Sequence, residues 1–139
     1  MLKIILAGQP VAKGRVRFAR STGRTYTPEK TVAYETKLAL AAQDKMDGDP
    51  PLTGPLVVTV LAELQVPASW SKRKQQLAID GVLRPTGRPD LDNYAKILDA
   101  LNLIVWVDDS QIVDLHVCKR YSTQPRLIID IDQLNDFLA

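Results

Sequence analysis

Two short acidic segments carry the residues best suited to chemistry in this 139-residue chain. The first is Arg88-Pro89-Asp90-Leu91-Asp92-Asn93-Tyr94-Ala95-Lys96, and the second is Trp106-Val107-Asp108-Asp109-Ser110-Gln111. Carboxylates gathered in one place repel one another and are stable together mainly around a divalent cation. A set of oxygen donors alone suits Mg²⁺ or Mn²⁺. Such a centre polarises a phosphate oxygen and activates a water for in-line attack. Lys96 is placed to neutralise charge on the transition state or on the leaving oxygen, or simply to pair with Asp92 one helical turn away. Each residue also has a plain structural reading. Asp92 suits a helix start, and Asp-Asp-Ser is ordinary turn chemistry.

The elements around these acids must bring them together for the chemical reading to hold. Pro89 favours extended geometry in the residue before it. If Asp90–Asp92 is extended, alternation puts both carboxylates on one face. The pattern predicts a helix from about Asp92 to Asn102, with Tyr94, Ala95, Leu98 and Leu101 on its apolar face. Eleven residues at about 1.5 Å each rise about 15 Å. A return strand over Ile104–Val107, at about 3.3 Å per residue, covers roughly 13 Å. A reversal at Asn102–Leu103 then carries one acid of the Asp108-Asp109 pair back toward Asp90 and Asp92.

Elsewhere, Lys3–Leu6 reads as a strand. Residues 8–27, rich in Gly and basic side chains, read as a loop or ribbon. Thr27-Pro28 reads as an N-cap followed by Pro at the first helical position. The helix it opens runs from about Pro28 to Lys45, with Val32, Glu35/Thr36, Ala39 and Ala42 spaced around the turn. Leu56–Gln65 alternates most cleanly, with Leu56, Val58, Val60, Ala62 and Leu64 on one face. Ser71 caps a short helix over Lys72–Asp80, closed by Gly81. Ile112–Tyr121 follows as a strand with Val113, Leu115 and Val117 on one side. Leu127–Ile131 is a last strand and Asp132–Leu138 a terminal helix. The mixture lacks regular βα alternation, so the expected class is a single α+β domain with helices on one face of a sheet.

Composition narrows the chemistry. The single cysteine, Cys118, and the single histidine, His116, exclude an internal disulfide framework and argue against a zinc site. This usage fits a reducing cytoplasm, and the opening apolar run is too short for a signal peptide. Trp70 and Trp106 read as packing residues. Residues 1–37 carry eight Lys/Arg against two Glu, a net +6, whereas the remainder carries ten basic and fourteen acidic side chains, a net −4. A basic arm beside an acidic body suits a polyanion binder that also needs a cation. Lys13, Arg15, Arg17, Arg20 and Arg24, with Phe18 and Tyr26 among them, form a candidate backbone-tracking arm for DNA. Lys72, Arg73 and Lys74 form a second basic cluster. From the residues alone, three readings stand: a metal-dependent nuclease, a DNA-binding module without chemistry, and an Asp-x-Asp phosphatase or nucleotidyl-transfer enzyme. The basic arm argues for a polymer substrate and so against the third.

The run RPDLDNYAKILDALNLIVWVDDSQIVDL closely resembles the core signature of RusA-like Holliday junction resolvases. GQPVAKGRVRFARSTGRTYTPEKTVAYE and VPASWSKRKQQLAIDG resemble the corresponding segments of the phage and Gram-positive branch, in the same order. The resemblance implies that Asp90, Asp92 and Asp109 are catalytic metal-binding acids, with Asp108 as a helper and Lys96 as the active-site lysine. It implies a small mixed sheet with flanking helices spanning residues 1–139. It further implies a homodimer whose two sites nick opposed strands of a four-way junction with Mg²⁺ or Mn²⁺, in a bacterial or phage-borne setting. Leu103 departs from the pattern, which has Gly after Asn102.

Overall fold

The alternation of Leu56–Gln65 places it at the centre. In the computed structural model, which describes residues 1–134, this segment is an interior strand with Leu56, Val58, Val60 and Ala62 fully buried along one face. In chain order the elements are β1 (Leu2–Ala7), a small hairpin of β2 (Arg17–Ala19) and β3 (Arg24–Tyr26), α1 (Glu29–Met46) and β4 (Leu56–Gln65). Then come α2 (Lys72–Ile79), α3 (Leu91–Ala95) continuing into a 3₁₀ helix (Lys96–Leu101), a 3₁₀ turn (Asp109–Gln111), β5 (Ile112–Ser122) and β6 (Arg126–Gln133).

Four strands form one mixed sheet in the order β1-β6-β4-β5, antiparallel except for the β4–β5 pair. Register sets Ile4 opposite Ile129, Ile129 opposite Val60 and Val60 opposite Val117, so one apolar row crosses the whole sheet. On that face lie α1 and the Tyr94–Trp106 region. Leu38, Ala42, Ile97, Leu101, Val105 and Trp106 close the core with the strands. The architecture is the expected α+β arrangement on a mixed sheet.

Several local expectations are corrected. Pro28, not Thr27, occupies the N-cap of α1, and no side-chain cap bond forms there. The buried stripe of α1 is Thr31, Tyr34, Leu38, Ala42 and Met46. Val32 is half exposed because the larger Tyr34 and Leu38 claim the core side. A β-bulge at Leu56/Val57 leaves Val113 without a partner, so Leu115 and Val117 share a side but Val113 is exposed. Asp132 and Gln133 belong to β6 rather than to a terminal helix, and residues 135–139 lie outside the described residues.

The largest correction concerns Ile104–Val107, which forms no strand. Ile104 and Val105 both donate to the Leu101 carbonyl, Leu103 N–H to the Trp106 carbonyl, and Leu52 N–H to the Val105 carbonyl. A tight turn forms because Val105 and Trp106 are consecutive and both fully buried, which an alternating strand with one solvent face cannot provide. Leu103 sits at φ 69° within this turn, three-quarters exposed. A branched residue in left-handed geometry costs about 1–2 kcal/mol. Leu103→Gly is therefore expected to raise the unfolding free energy by about 1 kcal/mol, after the greater chain entropy of glycine is subtracted. Urea titration reads this directly, and a loss of stability would show that the Leu103 side chain contributes contacts not evident in the fold.

Candidate active site

Asp90 caps α3 in extended geometry (φ −72°, ψ 157°), and its carboxylate makes no capping bond. The helix starts at Leu91, one residue earlier than expected, so Asp92 lies inside its first turn. Strand alternation therefore does not relate Asp90 to Asp92. The macrodipole favours the negative charge of Asp92 at this position. Asp92 meets Lys96 at 3.7 Å, but both side chains are more than half exposed. Such a pair contributes little to stability, and the ammonium remains open to another anion.

The loop leading into Asp90 is held from below. Lys119 Nζ donates to the carbonyls of Gly87 (2.7 Å) and Pro89 (2.9 Å). Sequence reasoning passed over Lys119, which reads as an ordinary strand lysine. Its signal was parity: Lys119 shares a face with Val117 and Tyr121, so its stem starts on the inward side of β5. Arg88 was also passed over. It lines a cleft of about 420 Å³ with Arg15, Arg17, Asp90 and Asn93.

The second acidic segment is built as a turn. Asp108 caps the Asp109–Gln111 helix in a capping box with Gln111. Gln111 Oε1 accepts from the N–H groups of Val107 (2.9 Å) and Asp108 (3.2 Å), while its Nε2 donates to the carbonyls of Leu52 and Gly54. Ser110 Oγ donates to Asp108 Oδ2 at 3.0 Å. The turn chemistry read from Asp-Asp-Ser is thus present, and through Gln111 it is tied to the 52–54 segment that leads into β4.

Asp109 meets Asp99 and Asp108. Asp99, on the 3₁₀ helix, was not singled out from sequence because it lies within an apolar stretch. Hydrogen bonding to the Asp99 carboxylate, then to Asp108, together with burial and like-charge repulsion, pushes the Asp109 carboxyl up to about 6. The Asp108 carboxyl is held below its ordinary value, first by its bond to Asp109 and then by Ser110. Asp90 and Asp92 do not join this group: among the described residues, no three His, Cys, Asp or Glu side chains surround a common point fit for a metal ion. The tight turn at 102–107 replaces the 13 Å return strand expected from sequence, and Asp109 comes back to Asp99 on the second half of the helical segment.

The donor chemistry nevertheless fits a hard divalent cation. All candidate donors are carboxylate oxygens, and the crowding at Asp109 is of the kind a cation relieves. Linkage gives a checkable sign for the metal-free protein. A carboxyl raised to about 6 stabilises the fold while protonated, and that contribution is lost as pH rises through 6. Asp109→Asn is therefore expected to gain thermal stability relative to wild type at pH 7 and little near pH 3.5, with the difference opening as pH rises from the ordinary carboxyl range through 6. A difference that does not grow between these pH values would show that Asp109 is not crowded.

The basic arm adjoins this region. Lys13 N–H donates to the Asn93 carbonyl (2.9 Å) and Gly14 N–H to Thr31 Oγ (2.9 Å), which fixes residues 13–14 between α3 and α1. Arg15, Arg17, Arg20 and Arg24 are exposed beyond that point, as are Phe18 and Tyr26. Lys72, Arg73 and Lys74 are exposed on α2, with Lys74 Nζ 4.1 Å from the ring centre of Trp70. Trp70 packs edge-on against Tyr121, and Trp106 is fully buried, so both tryptophans serve packing. His116 pairs with Asp114 at 3.1 Å on the exposed side of β5, and Cys118 is exposed. Among the described residues, no helix is long and apolar enough to cross a membrane.

Comparison with known proteins agrees with the resemblance carried by the motifs. The model of the family described as endodeoxyribonuclease RusA matches residues 7–132. A protein of Bacillus subtilis (strain 168), the uncharacterized protein YqaN, is 38% identical, covering 96% of this chain and 97% of its own length. With both acidic segments, Lys96 and the basic arm inside the matched region, the chain belongs to the RusA endodeoxyribonuclease family.

Proposed function

We propose that this protein is a divalent-metal-dependent endonuclease that resolves Holliday junctions and related branched DNA by paired, symmetric nicks, acting as a homodimer. The observation that carries this reading is the cleft in which Arg15, Arg17 and Arg88 stand around Asp90. Three guanidinium groups there suit a phosphodiester backbone and bring it to a carboxylate that no capping bond consumes.

Asp90, Asp92 and Asp109 would hold the cation, Mg²⁺ or Mn²⁺, with Asp108 supporting Asp109. When bound, the cation supplies Lewis acidity toward a phosphate oxygen and lowers the pKa of a water. The protein's own residues do the rest. Arg15, Arg17 and Arg88 fix the backbone so that the scissile phosphate is presented to the acids. The exposed Lys96 ammonium offsets negative charge as it builds on the phosphate. Lys119 holds the 87–89 loop so that Asp90 is set before DNA arrives. Arg20 and Arg24 on the hairpin, with Lys72, Arg73 and Lys74 on α2, extend the phosphate-binding surface. Phosphate contacts give affinity and register, and they suit a substrate recognised by shape rather than by base sequence.

The test is cleavage of a synthetic four-way junction beside a matched linear duplex, with and without Mg²⁺. Nicks at symmetric positions in the junction alone, only with metal, are expected. Equal cutting of the duplex would reduce the protein to a general nuclease. Binding without cutting under any divalent cation would leave a DNA-binding module.

A further inference from the structure

We infer that Lys13 is a positioning residue that fastens the DNA-binding arm to the catalytic acids through Asp99, and not one of the arm's phosphate contacts. Lys13 Nζ lies 3.3 Å from Asp99 Oδ2 and 3.7 Å from Glu35 Oε1. Its side chain is only 25% exposed, whereas Arg15 and Arg17 beyond it are exposed. A lysine flanked by two carboxylates presents a phosphate with a net negative surrounding, which is the wrong sign for a backbone contact. Its main chain is equally engaged, since the Lys13 N–H bonds to the carbonyl of Asn93, the residue after Asp92.

Lys13 thus touches both halves of the helical segment. Through its backbone it meets the turn that carries Asp92. Through its side chain it meets Asp99, the carboxylate that abuts Asp109. Glu35 fastens the same ammonium to α1, and the neighbouring Gly14 is fastened to α1 as well. A Cβ at Gly14 would come within 2.9 Å of Pro28 Cγ and 3.0 Å of Thr31 Oγ, so the backbone here packs closely against the start of α1 and a side chain does not fit. The arm and the acid cluster therefore meet at one fixed joint. DNA seated on Arg15 and Arg17 is held at a set distance from the acids by that joint.

The inference rests on the nuclease reading for its catalytic consequence, but its central test does not require cleavage. Junction affinity of the metal-free protein is measured across a salt series. Loss of a phosphate contact lowers the slope of log affinity against log salt by about one. Arg15→Ala should show that loss, and Lys13→Ala should leave the slope unchanged. In single-turnover cleavage with Mg²⁺, Lys13→Ala and Asp99→Asn should each slow cutting at least about tenfold with junction affinity within twofold of wild type. Lys13→Arg, which keeps a cation between the two carboxylates, should restore most of the rate. If Lys13→Ala lowers the salt slope as Arg15→Ala does, or cuts at the wild-type rate, Lys13 is an ordinary arm residue and the inference is wrong. If wild type itself does not cut, the nuclease reading fails, while the salt slope still decides where Lys13 belongs.

Discussion

Asp92→Asn is expected to abolish cleavage of a four-way junction, by about three orders of magnitude or more, while leaving junction binding intact or slightly tighter. The expectation combines two features of the same side chain. Asp92 is 67% exposed and its one ion pair, with Lys96, is a surface pair, so the isosteric amide costs the fold little. At the same time, a neutral amide is a poor ligand for a hard cation and cannot offset its charge. A thousandfold loss corresponds to about 4 kcal/mol of transition-state stabilisation, within the range that removal of one electrostatic group costs an enzyme. Removing an exposed negative charge next to Lys96 lowers repulsion with phosphates, hence the unchanged or improved affinity. Gel-shift titration and single-turnover cleavage on the same preparation separate the two effects. Cutting within twofold of wild type would remove Asp92 from the catalytic set.

The second large effect is structural. Trp106 is fully buried, and its Nε1–H donates to Asn102 Oδ1 at 2.7 Å. Its carbonyl accepts from Leu103 N–H, which closes the turn that delivers Asp108 and Asp109. Trp106→Ala should destabilise the protein by about 3–5 kcal/mol, from the void and from the Asn102 carbonyl left without its donor. Trp106→Phe fills most of the volume but makes no hydrogen bond, so it should cost less and still slow cleavage through a loosened turn. Denaturant unfolding beside cleavage rates reads both. An unchanged unfolding free energy in Trp106→Ala would mean that the turn is held by something other than this side chain.

Elements governed by local pattern were legible in the sequence. β4 alternates without interruption and folds as it reads. Ser71 accepts from Lys74 N–H, the cap expected of it. The arm was visible as charge without apolar periodicity, and its short β2–β3 hairpin agrees with a ribbon. What escaped was tertiary in origin. Ile104–Val107 has the composition of a strand, but burial of Val105 and Trp106 together demands a turn. Tyr34 and Leu38 outcompete Val32 for the core, and no periodicity count ranks residues by the shape of the space they fill. The acids Asp90, Asp92, Asp108 and Asp109 were evident by type and spacing. Asp99 was not, because its role depends on which way the following turn brings Asp109. Lys13 read as one more basic residue of the arm because the carboxylates that hold it lie 22 and 86 positions further along the chain.

The central physical claim is that a divalent cation draws Asp90, Asp92 and Asp109 around itself. Diffraction from crystals soaked in Mn²⁺, with the anomalous signal of manganese used to locate the ion, addresses it directly. A peak about 2 Å from carboxylate oxygens of all three residues is the expected result. A peak held by Asp99, Asp108 and Asp109 with Asp90 and Asp92 uninvolved, or no peak at any of these acids, would contradict it.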